Sequence, residues 1–125
     1  MKTFESELIE YPAYEQCIKV IIGDNLRQIC LDKDLPWSEE DNDILDAYTQ
    51  MFEGIIYIVL TPNCSRCVVI HEALHAINQM YSYMRARMDV ENDEIYVREA
   101  SYLQDKILTI FENVVKNGKE DRRNI

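Results

Sequence analysis

The feature that most constrains the fold is the pair Glu53-Gly54, which separates two short stretches of strand-forming residues. Residues 48–52 precede the pair, and residues 55–60 follow it. Glycine readily adopts the positive φ angle that a two-residue hairpin turn requires. Pro62 cannot donate to a strand ladder and therefore ends the second stretch. The pattern predicts a β-hairpin whose two strands are antiparallel neighbours.

Upstream of the hairpin, the sequence predicts a strand, a short helix and a loop. Residues 14–22 alternate in polarity and then become fully apolar, which is typical of a strand that enters the core. Asp24 is placed to cap a helix whose apolar face repeats at helical spacing. Residues 32–43 are rich in acids and read as a surface loop, from which Trp37 folds back onto the core.

Downstream of the hairpin, the sequence predicts two long helices. Asn63 or Ser65 is placed to cap the first helix, which extends to about residue 87. The second spans about residues 94–115, and Gly118 and the charged tail close it. The fold class that follows is α+β: a small mixed or antiparallel sheet with a hairpin, packed against two long helices. Residues 1–125 have the length of a single domain.

The formal net charge of −10 argues against nucleic acid as a partner. Non-specific nucleic-acid binding depends on neutralising phosphates, and 13 basic residues against 23 acidic ones supply no such patch. A membrane partner is not expected either, because the longest apolar run, residues 55–60, is far too short to cross a bilayer. The N-terminus carries acids where a signal peptide would be apolar, so a soluble cytoplasmic protein is expected.

The two histidines of the chain, His71 and His75, lie four residues apart, and Glu72 follows the first. On a helix this spacing places both imidazoles on one face, where their nitrogens can bind the same divalent ion. Six apolar neighbours flank them, which predicts a buried helix in which metal-free histidines would need separate hydrogen-bond partners. Zinc is the metal that this donor set favours. In the H-E-x-x-H pattern the glutamate acts as a general base rather than as a ligand.

A zinc site of this kind needs a third protein ligand, and Glu94 is the predicted one. It opens the last helix, which can pack antiparallel to the helix that carries the histidines. An alternative reading makes Glu94 an ordinary first-turn acid that pairs with Arg98. Asp89, Glu91 and Asp93 are rival ligands, because a polar loop can bend any of them inward.

The pattern H-E-x-x-H, 18 residues and a glutamate resembles that of gluzincin metallopeptidases. Residues 57–103 are more closely similar to small phage- and prophage-encoded zincin-like proteins, with a strand, a Pro-Asn turn, the histidine helix and a second helix opened by Asn-Asp-Glu. The resemblance covers less than half of the chain strongly. It implies His71, His75 and Glu94 as zinc ligands and Glu72 as general base.

The resemblance also implies that a hairpin strand flanks the cleft, where a peptide or protein substrate would add as a further strand. Relatives tend to carry a tyrosine one turn after the ligand glutamate, whereas this chain has Arg98. Tyr96, Tyr102 and Arg98 are therefore all candidates for the group that polarises the scissile carbonyl. The expected function is a zinc-dependent peptidase. The alternative is a non-catalytic phage or mobile-element accessory protein that retains zinc for stability or partner binding.

The four cysteines are expected to be reduced, and Cys17 and Cys30 to be small core residues. Cys64 and Cys67 precede His71 closely enough to suggest a Cys2His2 zinc site. A continuous helix from Cys64 to His75 would span about 16 Å, too far for one ion to contact all four side chains. Such a site would require the two cysteines to lie on a loop folded back onto the helix.

Overall fold

The computed structural model describes residues 3–11, 16–37, 46–83 and 93–123, which form one mixed sheet and three helices. The strands are β1 (Phe4–Glu5), β2 (Ile9–Tyr11), β3 (Gln16–Ile22), β4 (Ala47–Phe52) and β5 (Ile55–Leu60). The helices are α1 (Leu26–Asp32), α2 (Arg66–Tyr83) and α3 (Asp93–Arg123). The predicted α+β class, with a hairpin and two long helices, is confirmed.

The sheet is built around a parallel pair, β3 and β5, with antiparallel strands on both sides. The strands β1 and β2 pair with β3, and β4 pairs with β5. The predicted hairpin therefore joins β4 to β5. Its two turn residues, Glu53 and Gly54, have φ angles of 51° and 82°, the positive values that a type I′ turn needs.

Both faces of the sheet are buried, which explains why β3 and β5 are almost continuously apolar. The face that carries Ile18, Val20 and Ile58 packs against α2 and α3. The other face carries Ile21 and Val59 and packs against α1 and its surroundings. Trp37 packs with this second group, as predicted. The sheet thus forms a layer between α1 on one side and the α2–α3 pair on the other.

The helices differ from the sequence predictions at their ends. The cap of α1 is Asn25, whose side chain accepts a hydrogen bond from the Gln28 backbone, and not Asp24. Ser65 caps α2, with its hydroxyl 3.3 Å from the backbone nitrogen of Val68. The predicted end of α3 at Gly118 is wrong, because that helix continues to Arg123. An interior glycine costs about 1 kcal/mol, too little to end a helix when good helix formers follow.

Parts of three predicted elements lie outside the described residues. They are the start of the first predicted strand at 14–15, the acidic loop at 38–43 and the end of the histidine helix at 84–87. Among the helices that the structure describes, none has both the length and the apolar character needed to cross a bilayer.

The edge strands β1 and β2 were not predicted, and Ser6 explains how they share one neighbour. The backbone nitrogen of Ser6 donates to the Val20 carbonyl at 2.8 Å. In return, the Ser6 hydroxyl accepts a hydrogen bond of 2.9 Å from the backbone nitrogen of Val20. The side chain thus takes the place of a ladder carbonyl where the edge is interrupted between β1 and β2.

Replacing Ser6 by alanine should destabilise the protein by about 1–3 kcal/mol, because the backbone N–H of fully buried Val20 loses its acceptor. The measurement is the free energy of unfolding from urea titration. Ser101→Ala, at an exposed site on α3, is the matched control and should change stability by less than about 0.5 kcal/mol. Equal stability of the two variants would contradict the assigned role of Ser6.

Candidate metal centre

His71 and His75 lie one turn apart on α2 with their ring nitrogens facing each other. Their Nε2 atoms are 2.9 Å apart. The rings meet edge to face, with centroids 4.5 Å apart and planes at 89°. Both side chains are exposed. The sequence prediction of a buried histidine pair is therefore wrong. The two imidazoles also need no separate hydrogen-bond partners, because they can bond to each other through Nε2.

The exposure of the histidines follows from the periodicity of α2. Its buried face consists of Val69, Ala73, Ala76, Ile77 and Met80. Residues two positions apart on a helix point in directions about 200° apart, so His71 and His75 lie nearly opposite Ala73. The apolar neighbours in the sequence bury the other side of the helix and leave the histidine side accessible to an ion.

Glu72 is the buried member of the site, with 8% of its surface exposed. The hydroxyl of Thr49, on β4, donates a short hydrogen bond to the Glu72 carboxylate. The same hydroxyl lies 3.3 Å from the backbone carbonyl oxygen of Glu72. The carboxylate is thus anchored to the hairpin, while the histidines remain open to solvent.

The arrangement of these three residues suits a divalent metal. One ligand atom from each of His71, Glu72 and His75 lies within 4.8 Å of the others. Two nitrogens bound tetrahedrally to zinc at 2.0–2.1 Å are about 3.3 Å apart. The observed Nε2 separation of 2.9 Å approaches that value, so a small rotation of the rings would complete it. The two imidazoles fit the ion, and Glu72 stands close enough to act on a water beside it.

Glu94 does not join this group among the described residues. It is exposed in the first turn of α3, two residues before Tyr96. The Tyr96 hydroxyl donates to Asn78 Oδ1 at 2.8 Å, which places this turn beside α2, three residues beyond His75. Ligation by Glu94 requires its carboxylate to move towards the histidines, and its role stays a prediction.

The rival acids and the helix arrangement can also be placed. Asp89 and Glu91 lie outside the described residues, and only the backbone of Asp93 is described. Arg66 lies 3.7 Å from Glu112, at the opposite end of the helix pair from the Tyr96–Asn78 contact. The two helices are therefore antiparallel, as predicted.

The three candidates for polarising a carbonyl are distributed along α3. Tyr96 is committed to Asn78, and its ring packs edge to face on Tyr81 with centroids 5.3 Å apart. Tyr102 is 54% exposed, with the Lys106 ammonium 5.8 Å from its ring centre. Arg98 is exposed. Which of the three would polarise a substrate carbonyl stays a prediction.

The cysteines do not join the histidines. Cys64 is buried, and its thiol donates to the Asp46 carbonyl oxygen at 3.0 Å. Burial raises the pKa of this thiol, which opposes the thiolate form that zinc prefers. Cys67 is exposed on α2. Within the described part of the chain, the only group with metal-binding geometry contains no cysteine, so a Cys2His2 site gains no support.

The strand next to the site, β4, has an outer edge that is open among the described residues, because no described strand pairs with it. The backbone nitrogen of Thr61 donates to the Asp46 carbonyl at 2.9 Å, which marks this pair as hydrogen-bonded in the β4–β5 ladder. Bonded and non-bonded pairs alternate, so Thr49 and Met51 direct their backbone groups to the open edge.

Thr49 is the site residue that sequence reasoning missed. A threonine in a strand is ordinary, and its contact with Glu72 joins residues 23 positions apart in the chain. The available signal was the hairpin register, which places Thr49 on the same face as the buried Ala47. That register alone does not tell which helix residue the hydroxyl meets.

Comparisons with family models, with curated proteins and with solved structures found no match to this chain.

Replacing Glu94 by alanine should weaken zinc affinity by more than about 100-fold, because loss of a direct ligand exceeds the 10–100-fold typical of outer residues. Zinc titration against a competing chelator measures this. Asp89, Glu91, Asp93 and the half-buried Glu99 of α3, each replaced by alanine, are the controls. A larger loss in any of these four variants would remove Glu94 from the ligand set.

Proposed function

We propose that the protein is a zinc-dependent hydrolase whose substrates are peptides or proteins, with His71, His75 and Glu94 as the zinc ligands. The observation that carries the proposal is a pair of exposed imidazoles whose Nε2 atoms are 2.9 Å apart, with a buried glutamate beside them. Metal binding alone requires no glutamate at this position. A carboxylate anchored by Thr49 at the edge of a metal site is suited to moving protons.

The chemistry divides between the metal and the protein. When bound, zinc would supply Lewis acidity and lower the pKa of water towards about 7. The Glu72 carboxylate accepts a proton from the attacking water and returns it to the leaving nitrogen. The hydrogen bond from Thr49 fixes the orientation of that carboxylate, so Thr49 is a positioning residue. His71 and His75 would hold the metal through their Nε2 atoms, which face each other.

The open edge of β4 supports a peptide as the substrate. An extended peptide that pairs with the backbone groups of Thr49 and with the Met51 N–H would lie beside the residue that anchors Glu72. The Met51 carbonyl stays bonded to the Gln50 side chain. Main-chain hydrogen bonds give such binding affinity without demanding a particular sequence. The scissile peptide bond would then be held next to the histidines by the same strand that positions the base.

A second candidate is a non-catalytic accessory protein that binds zinc for stability or for a partner. The position of Glu94 outside the histidine group favours it, because a site with two histidine ligands lacks a complete protein shell. The two candidate functions differ in whether they need Glu72, which is required for hydrolysis and dispensable for zinc binding.

The proposal includes a cytoplasmic location. All four cysteines are free thiols. Cys30 is fully buried, and burial raises its pKa to about 11, which keeps it protonated and unreactive. Reduced cysteines of this kind are usual in the cytoplasm.

Replacing Glu72 by glutamine should preserve zinc content and lower kcat/KM by at least about 100-fold, because the amide cannot accept the proton. Activity is measured on a quenched-fluorescence peptide library with zinc-loaded protein. The matched control is Glu112→Gln, the same chemical change at an exposed site on α3, which should leave activity unchanged.

Equal cleavage by the Glu72→Gln variant and the unaltered protein would refute the assigned base. Cleavage by neither protein, with zinc retained by both, would favour the accessory protein instead.

A further inference from the structure

A pocket lies beside the metal centre, between the open edge of β4 and the C-terminal half of α2. Its volume is about 360 Å³, and it is lined by Gln50, Met51, Gln79 and Ser82. This volume is sufficient for one large amino-acid side chain. None of these residues belongs to the histidine group.

The unusual feature of the pocket is the side-chain oxygen of Gln79. This Oε1 atom is buried and accepts no hydrogen bond from any described residue. Leaving a buried acceptor unpaired is costly, and most such groups in folded proteins have a partner. The Gln79 side chain is partly exposed where it lines the pocket, so a turn of its terminal amide would bring this unpaired acceptor to a ligand's hydrogen-bond donor.

The other lining residues define what such a ligand looks like. The Gln50 side-chain amide donates to the Met51 carbonyl oxygen at 3.1 Å and is thus engaged within the protein. The half-buried Met51 side chain supplies an apolar wall. The pocket therefore suits a side chain with an aliphatic stem and a terminal N–H donor, as in glutamine or lysine.

The pocket and the metal centre are spaced like side chains of an extended peptide. Gln79 follows His75 by four residues on α2, a rise of about 6 Å. Met51 follows Thr49 by two residues on β4, a rise of about 6.8 Å. Side chains on one face of a strand repeat at the same interval of about 6.8 Å. A peptide paired with β4 can thus reach the histidines and the pocket with residues two positions apart.

We propose that this pocket is a specificity subsite for a substrate side chain that ends in an N–H donor, with Gln79 as the selecting residue. The inference rests on the proposed peptide binding along β4. Glutamine, methionine and glutamate have similar lengths, so they separate hydrogen bonding from size. With its Oε1 atom turned to the pocket, Gln79 accepts a bond from glutamine, finds no donor on methionine and repels the carboxylate oxygens of glutamate.

The test is binding of a peptide array by zinc-loaded Glu72→Gln protein, which binds without cleaving. Each position of an extended peptide is varied among glutamine, methionine and glutamate. At one position, glutamine should bind about three- to tenfold more tightly than methionine, the value of one neutral hydrogen bond. Adding Gln79→Met should abolish or reverse that preference.

The matched control is Gln28→Met, the same change on α1 at the opposite face of the sheet, which should leave the preference intact. Gln79→Met should melt no lower than its parent, because the acceptor that it removes has no partner among the described residues. Equal binding of the three peptides, tighter binding of glutamate than of glutamine, a preference that survives Gln79→Met, or no peptide binding would overturn the subsite.

Cleavage by the unaltered protein tests the hydrolase separately. Binding with the predicted preference but without cleavage would uphold the subsite and refute the hydrolase. Cleavage without the preference would uphold the hydrolase and refute the subsite.

Discussion

The packing of α2 on the β4–β5 hairpin is the contact on which the fold and the site both depend. Burial of one apolar face of α2 fixes the rotation of the helix about its axis. Once that face is buried, the helical repeat directs His71 and His75 to solvent. Glu72, between them in sequence, points to β4 and meets Thr49. A rotation of α2 by one residue, about 100°, would turn Glu72 away from Thr49 and change which side chains face solvent.

The open edge of β4 is the second consequence of this architecture. Exposed strand edges favour unwanted pairing, and proteins usually cover or interrupt them. The opposite edge of this sheet is interrupted, because Ser6 takes the place of a ladder carbonyl between β1 and β2. On β4, no described strand covers the outer edge, and the Gln50 side chain donates to the Met51 carbonyl there. This edge is where the proposed peptide would pair, through the remaining backbone groups.

The sequence predicted those elements whose signals are local. The hairpin needed only the turn glycine and the flanking strand formers, and the histidine pair needed only its spacing. The exposure of the histidines was mispredicted because residues adjacent in the sequence of a helix point to different faces. Apolar sequence neighbours therefore do not show that the histidines themselves are buried. The end of α3 was mispredicted because one glycine is a weak break in a long helix. The roles of Thr49 and Gln79 depend on contacts between distant segments, which no local pattern carries.

The proposed function depends on the binding of one zinc ion by His71 and His75 together. Elemental analysis can test this on protein that is purified without added metal, incubated with zinc and dialysed. We expect about one zinc per chain, and loss of that zinc in both His71→Ala and His75→Ala. Unaltered protein that remains metal-free, or zinc that persists in both variants, would contradict it.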